Sequence, residues 1–170
     1  MGRQRVALLD KQMGAIESAL KVAFEQEPLL QSKLELLLSV PGYGFVAAAT
    51  VLAETNAFET LQNGHEIAAY AGLAPAPNQS GLSQRRGRIS KVGNARLRRI
   101  AYMAALGAKL SYSSFRTFYE SLRERGKPPK VALVALARKL LRVGLAVVKS
   151  GQPYQAAFRR LEIVGEVCAT

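Results

Sequence analysis

Leu34-Glu35-Leu36-Leu37-Leu38-Ser39-Val40-Pro41-Gly42-Tyr43-Gly44-Phe45-Val46-Ala47-Ala48-Ala49 decides the fold of this chain. A leucine-rich segment over about Leu29–Leu38 precedes the turn, and an alanine-rich one over Phe45–Glu54 follows it. Leucine and alanine lose little freedom in a helix, so both segments are read as helices. Pro41, Gly42 and Gly44 break the chain between them, giving the pattern of a helix-hairpin-helix element over residues 29–54. The glycines permit a tight turn and leave the backbone bare, so amide N–H groups of the hairpin and of the second helix can face a phosphate. Binding of that kind reads no base. Gly42, Tyr43 and Gly44 are therefore candidate nucleic-acid contacts. A turn that only packs two helices, with Ala47–Ala49 allowing close approach, would use the same residues.

Further helices extend on both sides. Val6, Leu9, Met13, Ile16, Leu20 and Phe24 follow a 3-4-3-4-4 spacing, one stripe along a helix over residues 3–26. The stripe covers about three heptads and suits either packing on its own domain or pairing with a second copy. A short helix is expected over Glu66–Ala71. Residues 73–93, with Pro75, Pro77, Gly81, Gly87 and Gly93, read as a long loop, which in a compact domain is often functional. Asn94 is an N-cap for a helix to about Leu110. Ser113 or Ser114 caps the next, which Gly126 stops. Pro128-Pro129 opens a long helix to about Lys149 that ends at Gly151. The expected class is all-α. Residues 1–27 form a linker or coiled-coil helix, 28–155 a compact helical domain, and 156–170 a tail.

Charge is strongly one-sided. Residues 1–40 balance five basic against five acidic side chains, and residues 41–80 carry three glutamates and no lysine or arginine. Residues 81–170 hold nineteen basic and four acidic residues, a net of +15. A solvated surface mixes both signs, whereas such an excess is a footprint for phosphate backbones, with an acidic membrane surface as competitor. Val131–Val148 is the most apolar segment, but Arg138, Lys139 and Arg142 interrupt it, so it is read as a buried helix and not a membrane span. Without a signal peptide at Met1–Asp10, the expected location is the cytoplasm, associated with the nucleoid. The densest positive run is Arg85, Arg86, Arg88, Lys91, Arg96, Arg98 and Arg99, with no acidic residue among them. Arg96 and Arg99 share a helical face at i, i+3. Arg85, Arg86, Arg88, Lys91, Arg96 and Arg99 are the candidate phosphate contacts.

Candidate chemistry is sparse. Ser80 reads from the sequence as an ordinary loop serine, although the arginines after it could cradle a phosphate under attack. His65, the only histidine, suits a helix start or the surface. Cys168 is the only cysteine, so neither an internal disulfide nor a four-ligand zinc site of the usual kind can form. Asp10 is the only aspartate, and Gly81–Tyr119 contains no carboxylate, so no complete two-metal site is expected.

Four stretches together resemble a known family. They are Leu38–Gly44, Ala68–Pro75, Gln79–Gly81 with Gly87–Arg99, and Gly126–Leu140; with their spacers they cover about residues 35–155. In order and spacing they are similar to the C-terminal transposase domain of insertion-sequence transposases that carry a RuvC-like N-terminal domain, some of them guided by a bridging RNA. The resemblance implies that Ser80 is the nucleophile that attacks a DNA phosphodiester and becomes linked to the broken strand. It implies that Mg²⁺ is held by four acidic residues of the RuvC-like domain, with no cofactor in this chain. DNA is the expected partner, a guide RNA a further one, and a homo-oligomer through residues 3–26 is implied by the coiled coil of the family. The RuvC-like domain is expected to be missing here, so the isolated chain should bind nucleic acid without cutting it. A non-catalytic helix-hairpin-helix module and a basic RNA-associated protein share the same composition.

Overall fold

The computed structural model describes residues 2–76, 79–80, 83–84, 88–111 and 113–155. Seven α-helices make up the described body: α1 (Gly2–Glu25), α2 (Pro28–Leu38), α3 (Phe45–Glu54), α4 (Gly64–Tyr70), α5 (Ala95–Ala108), α6 (Ser114–Glu124) and α7 (Pro129–Ser150). The all-α expectation holds, and the helix limits fall within two residues of those read from apolar spacing and caps. The Asn94 side chain accepts from the Leu97 N–H at 3.0 Å, as an N-cap should. Ser113 stands at the cap position of α6, but its hydroxyl is 2.8 Å from that of Ser111 and caps nothing.

The long helix α7 is the centre of the body. It packs against α5, α4, α6 and α2. Leu136, Ala137, Leu140, Leu141 and Gly144 repeat at helical spacing along its inner face and are fully buried or nearly so. Each leucine buried there stabilises the fold by about 1.5–3 kcal/mol. Helix α5 fills the opposite side of the core with Leu97, Ala101, Ala104, Ala105 and Ala108. Small residues let it approach α3 and the hairpin closely. Helix α1 is different: none of its residues is buried, and it meets the body at its last turns, where Phe24 lies edge-on to Phe45 with centroids 6.2 Å apart.

Two features depart from the sequence reading. Residues 73–93 are not a structureless loop. β1 (Pro75–Ala76) pairs antiparallel with β4 (Arg88–Ile89), and β2 (Gln79–Ser80) pairs with β3 (Ser83–Gln84). A two-residue ladder has too few positions to show alternation, which is why no strand signal precedes it. After α3 the chain makes a 3₁₀ turn over Asn56–Phe58, with φ of 47°, 51° and 64° at Asn56, Ala57 and Phe58. No glycine marks this left-handed turn; burial of Ala57 and Phe58 holds it.

Candidate nucleic-acid interface

The hairpin between α2 and α3 divides into an inner and an outer part. Gly42 adopts φ of 103° and lies against the C-terminal end of α5; a Cβ there would stand 2.6 Å from the Ala108 Cβ and 2.7 Å from the Ala104 carbonyl oxygen. Tyr43 is buried, its ring against Gly144 of α7, and its hydroxyl has no hydrogen-bond partner among the described residues. Burial pushes its phenol well above the ordinary tyrosine range. Tyr43 is a candidate contact through its backbone; its ring fills an apolar slot between α2 and α7, and its N–H donates to the Val40 carbonyl at 3.2 Å. Gly44 is exposed and N-caps α3, with open space where a Cβ would stand. Lys21 lies 5.4 Å from the centroid of Phe45, the first residue of α3.

The stretch carrying Ser80 leaves the body through a closed neck. Outward from α5, the Asn94 N–H donates to the Tyr70 carbonyl at 2.7 Å, Lys91 N–H to Gly72 at 3.2 Å and Ser90 N–H to Ala74 at 3.0 Å. The β1–β4 ladder continues this zipper. Gly93, with φ of 132°, sits so near the Tyr70 carbonyl oxygen that any side chain would collide with it. Ser80 follows on β2, its backbone paired with Ser83.

The basic run has several fates. Arg85 and Arg86 lie outside the described residues, and Arg88 contributes its backbone to β4. Lys91 is exposed. Arg96 is 3.5 Å from the Glu54 carboxylate, although its side chain remains 87% exposed. The run is therefore partly neutralised by a glutamate forty-two residues away, which the local sequence did not reveal. An exposed pair of this kind is weak and leaves most of the Arg96 charge to solvent. Arg98 donates to the Ala71 and Lys91 carbonyls and belongs to the neck. Arg99 is exposed and edges a groove floored by Ile89, Tyr102 and Val134. The hairpin touches the far end of α5, so Gly42 and Arg99 are about 13 Å apart along the helix axis at 1.5 Å per residue.

Three cations escaped the sequence reading as site residues. Arg138, Lys139 and Arg142 of α7 line a second groove together with Phe118 and Val134. Their i, i+1, i+4 spacing on an otherwise apolar helix was the available signal. Lys139 Nζ stands 4.2 Å from the Phe118 centroid, and burial lowers its pKa.

His65 is exposed in the first turn of α4, capped by Asn63, and has no role in these surfaces. Cys168 lies outside the described residues. Near the neck, Glu54 has one carboxylate oxygen on Arg96 and the other 2.7 Å from the Asn94 amide nitrogen. Those donors do not fit a divalent ion. Among the described residues, no three of His, Cys, Asp and Glu gather as a metal would require, and no helix is long and apolar enough to cross a membrane.

Residues 34–120 match the family model described as "Transposase IS116/IS110/IS902 family". The chain is 31% identical over 129 residues to the pilin gene-inverting protein of Moraxella bovis, covering 75% of this chain and 40% of that protein. It is 30% identical over 158 residues to the insertion element IS110 uncharacterized 43.6 kDa protein of Streptomyces coelicolor, covering 87% and 39%. It is also 30% identical over 155 residues to the insertion element IS900 uncharacterized 42 kDa protein of Mycobacterium paratuberculosis, covering 91% and 38%. The chain thus spans about two fifths of the length of these relatives.

Proposed function

The chain belongs to the IS116/IS110/IS902 transposase family, and from that premise we propose that it is the DNA-binding, serine-bearing part of an insertion-sequence transposase. The observation that carries this reading is the juxtaposition at one end of α5. Lys91, Arg96 and Arg99 offer positive charge at the same neck from which the β1–β4 stem leads to Ser80. A phosphodiester drawn to these cations would meet the serine-bearing hairpin. Attack by the Ser80 hydroxyl would join its Oγ to phosphorus, expel a deoxyribose hydroxyl and transfer the serine proton to that leaving oxygen. The arginines would balance the charge gathering on the phosphate.

Activation of the serine needs a base or a metal, and the residues described here fit neither. In this reading a RuvC-like domain supplies Mg²⁺ through its own carboxylates, and the chain alone holds DNA without cutting it. Its contacts are to the backbone, from the arginine run and from the bare amides at Gly44. A guide RNA would be a second nucleic-acid partner, and the open stripe of α1 would pair copies of the chain. The place of action in this reading is the cytoplasm, at the nucleoid.

Two measurements test the reading. In a complete relative-length enzyme, Ser80→Ala should abolish recombination and leave DNA affinity unchanged. Unaltered recombination would return the chain to the class of non-catalytic helix-hairpin-helix modules. The isolated chain, incubated with Mg²⁺ and a supercoiled plasmid bearing the element ends, should form no covalent adduct; a Ser80-dependent adduct would sink the claim that cutting requires another domain.

A further inference from the structure

The outer side of α7 carries a groove of about 770 Å³ that the reading above does not use. Leu73, Ile89, Phe118 and Val134 form its apolar walls, and Arg138, Lys139 and Arg142 supply its charge. Among the described residues no carboxylate lines it. A cation that merely keeps a helix soluble points to water. Arg138 is only partly exposed, and its Nε is buried with no hydrogen-bond partner among the described residues. Burying part of a guanidinium unpaired is unfavourable unless something else answers it, and an anion would. Arg142 is exposed, lies across the bare Gly64, and makes no hydrogen bond or ion pair among the described residues. Lys139 is already held over Phe118. Two guanidinium groups therefore remain available, one of them pre-placed against an apolar wall.

The groove is also continuous with the proposed DNA path. Leu73, Ile89 and Val134 form walls of both this groove and the one edged by Arg98 and Arg99. The two meet beneath the β1–β4 stem, because Ile89 belongs to β4. Pro75 of β1 lines the α7 groove, and Ser80 follows five residues later, within about 17 Å of extended chain. A strand lying on Arg99 would cross the apolar Ile89–Val134 saddle to reach the cations of α7.

We infer that the α7 groove is a nucleotide subsite for a single strand, holding a phosphodiester on Arg138 and Arg142 with its base against the Ile89, Phe118 and Val134 wall. The volume lies within the range of about 300–1,000 Å³ usual for small-molecule sites. Cations beside an apolar and aromatic wall match the two halves of a nucleotide, one charged and one flat. An acidic protein segment would also satisfy the arginines, but the continuity with Arg99 favours a nucleic-acid strand. The inference rests on the nucleic-acid reading above and adds to it a site with its own readout.

The test uses the 170-residue chain and a fluorescent twelve-nucleotide single strand, once as DNA and once as RNA. Arg142→Ala should weaken binding about tenfold, as loss of a charged phosphate contact does. Lys130→Ala, on an exposed residue of the same helix that does not line the groove, should change it less than about twofold. In parallel, methyl resonances of Val134 and Val143 should shift on adding a tetranucleotide. Stronger binding of DNA would assign the groove to the substrate strand, and stronger binding of RNA to a guide; either supports the subsite. Equal effects of Arg142→Ala and Lys130→Ala would overturn it, as would methyl shifts produced by an oligoglutamate peptide and not by the tetranucleotide. If Arg99→Ala weakens binding while Arg142→Ala does not, the subsite fails and the nucleic-acid reading stands. If neither does, both fail.

Discussion

The Arg98 guanidinium donates to the Ala71 carbonyl at 3.0 Å and ties the first turn of α5 to the end of α4. The same nitrogen reaches the Lys91 carbonyl at 3.2 Å, so one side chain spans the neck below Ser80. Arg99, its neighbour in sequence, faces solvent. Arg98→Ala should cost about 1–3 kcal/mol, the usual worth of hydrogen bonds to a charged group. In a domain of this size that corresponds to a fall in Tm of roughly 2–4 °C per kcal/mol. Arg99→Ala should leave Tm nearly unchanged and lower DNA affinity, reducing the slope of log K against log salt by about one. Thermal unfolding and a salt titration of binding on both variants separate the two roles. Equal Tm losses would refute the division.

Gly42 meets Ala108 so closely that the hairpin can seat on α5 only without a side chain. Gly42→Ala should destabilise by about 2–4 kcal/mol, combining the positive φ with overpacking against backbone. Gly44→Ala meets nothing within 4 Å and sits at φ of −93°, so its cost should stay below about 0.5 kcal/mol. Denaturant midpoints of the two variants measure the difference. If Gly44→Ala nonetheless weakens DNA binding, the bare amide edge of the hairpin is a contact; unchanged binding would confine the hairpin to packing.

Tyr43 gives the molecule a sensitivity to alkali. Its phenol is raised by burial, so the native state keeps the proton at a pH where the unfolded chain, near pKa 10, loses it. The native state then binds more protons, and stability falls as pH rises above about 10, by about 1.4 kcal/mol for each further pH unit until the native group titrates. Below pH 10 the contribution is fully present. Tyr43→Phe removes the titrating group and an unpartnered hydroxyl, so it should be neutral or slightly stabilising at pH 7 and shallower in its loss at pH 11. Guanidinium midpoints at both pH values decide this, since the other tyrosines are common to both proteins. A loss above about 1 kcal/mol at pH 7 would mean that the hydroxyl is bonded.

Much of this was legible in the sequence, for physical reasons that particular residues illustrate. Asn94, Pro129 and Gly151 act on backbone within a few residues of themselves, so their caps and stops could be read locally. The stripe of α7 repeats at helical spacing and names its buried face without any partner being known. The left-handed turn at Asn56–Phe58 carries no glycine and is held by burial, which no local pattern reports. The Glu54–Arg96 pair joins residues far apart in the chain. Composition treats Arg98 and Arg99 alike, yet one knits the neck and the other stands exposed at the edge of a groove. The α7 cations were visible as charges, but their meaning depends on Phe118 and Ile89, which only the fold brings beside them.

Helix α1 leaves its apolar stripe uncovered among the described residues. Its stripe is bare along most of its length, with Ile16 61% exposed, and only Phe24 is seated on the body. A 24-residue helix with no buried side chain gains little from its own domain, and isolated helices are marginal in water. Pairing of two stripes would bury Val6, Leu9, Met13, Ile16 and Leu20 in one seam. The chain should therefore sediment as a dimer or higher oligomer at micromolar concentration, and dilution should lower its helical circular dichroism as α1 frays. Leu9→Glu with Ile16→Glu should give a monomer with the Tm of the compact domain nearly unchanged, because neither residue touches the core. A wild-type chain that remains monomeric with its full helical signal at every concentration would show that α1 stands alone and that the stripe serves some other surface.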